Sequence, residues 1–243
     1  MFSIDKLKGS KALALLLDPD KTVIDDSWLE IIREANPDLI LLGGSQPFDY
    51  HLLDSMVDKL KANLTIPLVG FPGTVDQIHP KYDALLALSV VQSSDANYIF
   101  SPLFKAAKII DELNLSTYYT PYLIIGSSGE TAVEKALENK ISIIDNETVL
   151  KSYLLGLKIL NPICLYLEAG SGSKYVINSE YVKQTRNLLL DTYLFAGGGV
   201  RNIKQAEEIW TSGADCLVVG NWVEDCPSAL INLANSRNIL NGR

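Results

Sequence analysis

The chain has 243 residues, 47% of them hydrophobic, and no composition shift or Pro/Gly-rich linker divides it, so one domain over 1–243 with one sizeable core is expected. Its 21 basic and 29 acidic residues give a formal charge of −8 with no run of Lys or Arg, which argues against nucleic acid and against an anionic membrane surface as partners. An anionic small molecule stays compatible with this balance, because backbone amides and a divalent ion hold phosphate without net positive charge.

In chain order, apolar runs of strand length fall at about 11–17, 38–42, 66–69, 83–88, 118–125, 163–168, 192–196 and 215–219. Segments with apolar spacing near 3.6 lie between them at about 27–35, 48–61, 101–113, 131–138, 147–160, 179–190, 203–211 and 227–236. Eight strands alternating with helices predict an α/β fold, a modified TIM (β/α)8 barrel. An open doubly wound sheet is disfavoured, since its first strand leads into G-x-G-x-x-G and this one leads into Asp18-Pro19-Asp20-Lys21. The stretch GFPGTVDQIHPKY after Val69 carries Gly70, Pro72, Gly73 and Pro80 and cannot hold a crossover helix, so the third outer helix is expected to be missing or reduced. An extended apolar ligand fits the cleft this leaves. A second irregularity is expected between the fifth and sixth strands, where two helices replace one.

No apolar stretch reaches membrane-spanning length, and the run from Ala12 to Leu17 is too short for a signal core before Asp18 interrupts it. Cys164, Cys216 and Cys226 stand singly without C-x-x-C spacing, two of them inside strand-like runs, as buried thiols in a reducing cytoplasm do. A cytoplasmic protein is expected.

The chemistry gathers at strand C-terminal ends. Alternation along LLLDPDK puts Ala14, Leu16 and Asp18 on one face and aims Asp18 at the barrel mouth, unless it is the solvated Asp of a D-P turn; Asp20 is an N-cap or a partner of that site. Ser45, after LLGG on the next strand, pairs with Asp18 as a Mg²⁺ site or caps a helix. In ICLYLEAGSG, Cys164, Tyr166 and Glu168 share a face opposite Leu165 and Leu167. Glu168 then reads as a general base, with the following Gly-Ser-Gly approaching a phosphate, or as a structural partner of a nearby Lys. FAGGGVR and VVGNW repeat glycine-rich turns where barrels build phosphate sites, with plain βα turns as the bland alternative and Arg201 as an auxiliary. His51 and His79 stand apart from these ends, and no Lys lies in a strand core where a Schiff base would form. Tyr98, Tyr118, Tyr119 and Tyr122 are packing residues or line an apolar groove with a polar tip.

LLLDPDK, LLGGS, GFPGT, YLEAGSG, GGGVR and GADCLVVGN, in this order and spacing, resemble the geranylgeranylglyceryl phosphate synthase family, which includes the bacterial PcrB-type heptaprenylglyceryl phosphate synthases. The resemblance implies a barrel whose third helix is irregular chain and a Mg²⁺-dependent transfer of a polyprenyl group from its diphosphate to the 3-hydroxyl of sn-glycerol 1-phosphate. It implies Mg²⁺ at Asp18 and Ser45. It further implies glycerol phosphate at Tyr166, Leu167, Glu168, Ala169, Gly170, Ser171, Gly172, Gly198, Gly199, Gly220 and Asn221, with Glu168 taking the hydroxyl proton. A homo-oligomer is implied too, for which the surfaces around Trp210, Trp222 and Leu230 are candidates, and membrane contact no closer than peripheral, through the lipid product. Leu16 stands where long-chain bacterial members carry Lys, which points to the archaeal-type branch and a geranylgeranyl donor. That branch often carries a chain-limiting Trp soon after the fourth strand; Tyr98-Ile99-Phe100 stands in that region here, with Tyr98 or Phe100 as substitute. Two other readings share the phosphate loops: a sugar phosphate isomerase type of barrel enzyme and a noncatalytic phosphate-binding barrel.

Overall fold

Eight parallel strands pair in sequence order and close on themselves: β1 (Ala12–Leu17), β2 (Leu39–Leu42), β3 (Leu68–Gly70), β4 (Ala84–Val90), β5 (Thr117–Ile124), β6 (Cys164–Glu168), β7 (Tyr193–Gly197) and β8 (Cys216–Val219). The structure is a computed structural model and describes residues 2–44, 49–125, 141–142, 144–169 and 176–243. The helices are α1 (Asp26–Ala35), α2 (Tyr50–Asn63), α3 (Ala96–Ile99), α4 (Ser101–Glu112), α5 (Glu147–Leu160), α6 (Ser179–Leu188), α7 (Ile203–Thr211), α8 (Asn221–Asp225) and α9 (Ala229–Leu240). The helix expected at 131–138 lies outside the described residues.

Local chemistry starts most of these helices where the apolar period begins. Asp25, Asn146 and Asn202 each accept a backbone N–H three residues on, at 2.9–3.0 Å, and Asp49, Asp95 and Asn178 accept one two residues on, at 2.9 Å. Asn36 and Asn161 end α1 and α5 in the left-handed region at φ 46° and 48°, where Asn is better tolerated than most residues.

Strand alternation separates two cores. Inside the barrel Ala12, Ala14, Leu39, Leu41, Val69, Leu86, Cys164, Tyr166, Phe195 and Val218 pack together, while Leu13, Leu15, Leu165, Leu167 and Leu194 face the helices. The N-terminal 3₁₀ turn Ile4–Leu7 joins the interior core from the strands' N-terminal side, with the Ile4 amide donating to the Tyr118 hydroxyl at 3.2 Å.

The N-terminal ends are tied by a repeated device. Asp38, Asp83 and Asp215 each stand just before a strand, donate their N–H to the carbonyl of Leu13, Leu68 or Leu194 on the neighbouring strand, and accept that residue's N–H on Oδ2 at 2.7–2.8 Å. Arg237, Lys61 and Arg186 neutralise the three carboxylates in the same order. Arg237 is buried at 4%, so Arg237→Met strands the Asp38 carboxylate beside a single amide. The expected cost is about 3 kcal/mol, read as a lowered urea midpoint.

The third crossover is short, as expected. Between β3 and β4 only the 3₁₀ turn Val75–Gln77 forms, and polar clamps do the work of a helix. His79, buried at 1%, accepts the Lys81 amide at Nδ1 (3.1 Å), so its Nε2–H donates to Asp54 at 3.0 Å. His51 is exposed on α2, so neither histidine reaches the mouth. Among the described residues no cluster of three His, Cys, Asp or Glu is placed to hold a metal, and no helix is long and apolar enough to cross a membrane.

Three expectations are corrected. Trp210 and Leu230 are fully buried, with Trp210 Nε1–H donating to the Ala12 carbonyl at 2.9 Å, so neither offers a surface for a second subunit. Trp222 is half-buried and lines a cavity at the mouth. Of the two roles open to Asp20 the N-cap is not the one taken, Asp25 being the N-cap of α1; exposed Asp20 is instead a partner of Asp18, whose Oδ1 accepts its amide.

Candidate active site at the barrel mouth

Two cavities open at the strands' C-terminal ends. One, of about 160 Å³, is lined by Leu16, Asp18, Lys21, Gly43, Gly44, Phe71, Pro72, Gly73, Leu88, Val90, Tyr98, Pro102, Tyr122, Glu168, Gly220, Asn221 and Glu224. Its far side is apolar and runs toward the short crossover, where Pro72, Gly73, Leu88 and Pro102 are shared with a smaller pocket under Val75 and α4. The other, of about 350 Å³, is lined by Tyr166, Gly198, Gly199, Val200, Arg201, Val218, Gly220, Asn221 and Trp222. Glu168, Leu16, Gly220 and Asn221 border both. A carboxylate thus stands between an apolar chamber and a glycine-lined one.

Glu168 is 5% exposed at the end of β6, level with Ile124 of β5 and Gly197 of β7. Tyr122 and Tyr166, opposite each other on β5 and β6 with stacked rings 5.1 Å apart, both donate their hydroxyls to it. Burial, and then the Glu168 charge, pushes both phenols well above their usual range, so they stay protonated donors to the carboxylate. Phe71 packs on the pair, its ring 5.2 Å from that of Tyr166. A Cβ on Gly197 would stand 2.6 Å from the Tyr166 hydroxyl, so this glycine, absent from the expected binding set, makes room for the donor.

Gly198 and Gly199 follow with φ 93° and 71°, a conformation that residues with a Cβ rarely adopt, and both line the second cavity. Across the mouth, Asp18 follows β1 with its side chain 15% exposed; Oδ1 accepts the Asp20 amide at 3.2 Å and Oδ2 the Lys21 ammonium at 2.7 Å. Thr22 Oγ1 donates to Glu224 at 3.0 Å, binding this turn to α8, and burial raises the Glu224 carboxyl above its usual range.

Of the residues singled out in the sequence, Asp18, Tyr166, Glu168, Gly198, Gly199, Gly220 and Asn221 meet at this mouth. Leu167 faces the outer core and Ala169 is buried there, so any ligand contact from these two is through the backbone. Ser45, Gly170, Ser171 and Gly172 lie outside the described residues. Tyr98 lines the apolar chamber, whereas Phe100 is 53% exposed and does not. Tyr122 lines the apolar chamber with its polar tip, one of the two roles open to it, but its partnership with Glu168 was not expected, and neither was a place for Lys21 or Glu224 in the lining.

Fold and mouth together define the class: a (β/α)8 barrel with a reduced third crossover and a buried carboxylate between two unlike chambers. Residues 6–236 match the PcrB family, and the chain belongs to it. The geranylgeranylglyceryl phosphate synthase of Sulfolobus acidocaldarius is 35% identical over 213 residues, covering 86% of this chain and 81% of that protein. That of Caldivirga maquilingensis is 31% identical over 234 residues, 94% of this chain and 86% of its own length. The crystal structure of (S)-3-O-geranylgeranylglyceryl phosphate synthase from Thermoplasma acidophilum in complex with its substrate sn-glycerol-1-phosphate superposes with a TM-score of 0.85 at 26% identity, covering 99% of this chain and 97% of that one.

Proposed function

We propose that this chain is a Mg²⁺-dependent prenyltransferase that moves a geranylgeranyl group from its diphosphate to the 3-hydroxyl of sn-glycerol 1-phosphate, forming the ether-lipid precursor geranylgeranylglyceryl phosphate. The observation that carries the reading is the position of Glu168 on the border of both chambers. The apolar one suits a polyprenyl chain; the one lined by Gly198, Gly199, Gly220 and Asn221 suits a phosphate.

In this reading Tyr166, the 166–172 segment and the three glycines hold glycerol phosphate with its 3-hydroxyl toward Glu168. The hydroxyl oxygen forms the new bond to the allylic carbon. The carbon–oxygen bond to diphosphate breaks with its electron pair going to the diphosphate, and the hydroxyl proton goes to Glu168. The donor set fits Mg²⁺: Asp18 offers a partly buried carboxylate with no His or Cys among the described lining residues, and Gly44 keeps the space beside it open, since a Cβ there would stand 3.0 Å from both carboxylate oxygens. Asp18, with Ser45, would hold the ion, which would neutralise charge on the leaving diphosphate. Tyr98 shapes the donor chamber and limits the chain length it takes.

The test is incubation with radiolabelled sn-glycerol 1-phosphate, Mg²⁺ or a chelator, and prenyl diphosphates of increasing length. A butanol-extractable product, maximal with the geranylgeranyl donor and lost with chelator, is expected. No product with any donor overturns the reading. The homo-oligomer that goes with it is read by gel filtration with light scattering.

Tyr122→Phe removes one donor to the Glu168 carboxylate while keeping the ring stack. The hydrogen bond helps fix the carboxylate at the border of the chambers, so its loss lowers kcat about tenfold while the affinity for sn-glycerol 1-phosphate is kept. Steady-state kinetics of the variant and calorimetric affinity for sn-glycerol 1-phosphate check both.

A further inference from the structure

The lining of the donor chamber is short of positive charge. Asp18, Glu168 and Glu224 bring three carboxylates to it, and Lys21 is the single cation among the described lining residues. A diphosphate adds several more negative charges, and one divalent ion does not offset them all. Something must meet the remaining phosphate oxygens, and Lys21 is placed to do so.

Its present contact does not explain its position. The Lys21 ammonium lies 2.7 Å from Asp18 Oδ2, but its side chain is 52% exposed and the pair is an i,i+3 contact, an arrangement that adds little to stability. The turn stands without it, because the Lys21 and Thr22 amides both donate to the Asp18 carbonyl at 3.0 Å and Thr22 is tied to Glu224. The four-carbon stem is free to pivot, and the oxygen it covers belongs to the carboxylate assigned to the metal.

We propose, resting on the function above, that Lys21 is a diphosphate-binding residue that also guards the metal carboxylate: it covers Asp18 Oδ2 until an ion takes that oxygen, then turns onto the donor diphosphate. The ammonium thereby serves twice. It keeps the Asp18 carboxylate compensated before substrate arrives, and it makes metal and donor binding cooperative, because the contact it gives up to the ion is replaced only when diphosphate is present.

The test uses the full chain and its Lys21→Met and Lys21→Arg variants. Three affinities are measured: Mn²⁺ alone by electron paramagnetic resonance, and inorganic diphosphate at saturating Mg²⁺ and sn-glycerol 1-phosphate by calorimetry. In Lys21→Met, Mn²⁺ alone is expected to bind several-fold tighter, since its competitor is gone. Diphosphate is expected to bind about tenfold or more weakly, glycerol phosphate unchanged, with Lys21→Arg restoring diphosphate affinity. A merely structural lysine would give the opposite sign for Mn²⁺. If the wild type makes product and Lys21→Met binds diphosphate as tightly as the wild type, or binds Mn²⁺ more weakly, the assignment falls and the transfer reaction stands. Wild type that makes no product with any donor overturns both.

Discussion

Glu168→Gln keeps the fold and the affinity for sn-glycerol 1-phosphate and loses turnover by about 10²- to 10⁴-fold, the range over which a positioned general base acts. The amide is isosteric with the carboxylate and keeps one acceptor oxygen toward the tyrosine hydroxyls, and the ring stack of Tyr122 and Tyr166 does not depend on the charge. The phosphate chamber is built from Gly198, Gly199, Gly220 and Asn221 and does not rely on the charge. What the variant lacks is a proton acceptor at the border of the chambers. The deficit therefore falls on the transfer step and not on acceptor binding. Single-turnover rates, calorimetric affinity for glycerol phosphate and the urea midpoint separate these contributions. Near-normal turnover with intact binding would remove Glu168 from the mechanism and leave it the role of an electrostatic anchor for the two tyrosines.

The eight strands were legible because each is a short apolar run whose ends are punctuated by Asp, Asn, Gly or Pro, and because alternation separates Tyr166 and Glu168 from Leu165 and Leu167 without any knowledge of neighbours. The reduced third crossover was legible for the same reason: Pro72 and Pro80 exclude a helix locally. What escaped depends on cross-strand register. Tyr122 reaches Glu168 because β5 and β6 align Tyr122 with Tyr166, and no local pattern states that alignment. Trp210 and Leu230 read as outer-surface residues because a helix shows its apolar stripe in sequence, not the core it faces; here α7 and α9 turn theirs onto the barrel. The Asp38, Asp83 and Asp215 ties are one motif seen three times, but each spans to a residue 15 to 25 positions earlier, and its cation comes from another helix.

The two glycines of LLGGS fail differently when changed to alanine. A Cβ on Gly43 would lie 1.9 Å from the Phe71 carbonyl oxygen, a backbone atom that cannot step aside because the Phe71 amide is bonded to the Leu42 carbonyl at 2.8 Å. Gly43→Ala must therefore part β2 from the end of β3, at a cost of about 3 kcal/mol or more. Phe71 would move with it and disturb the rings of Tyr166 and Tyr122 packed on it. The atoms nearest a Cβ on Gly44 belong to the Asp18 carboxylate, the movable end of a side chain, at 3.0 Å. Gly44→Ala therefore keeps its urea midpoint within about 1 kcal/mol but turns Asp18 away from the donor chamber, raising the Mg²⁺ concentration needed for half-maximal rate about tenfold or more. Urea unfolding and Mg²⁺ titrations of initial rate on both variants decide it. A Gly44→Ala protein with wild-type Mg²⁺ dependence would mean that the carboxylate orientation set by this glycine does not control the metal, and a stable Gly43→Ala protein would mean that β2 and β3 can part at their C-terminal ends without loss.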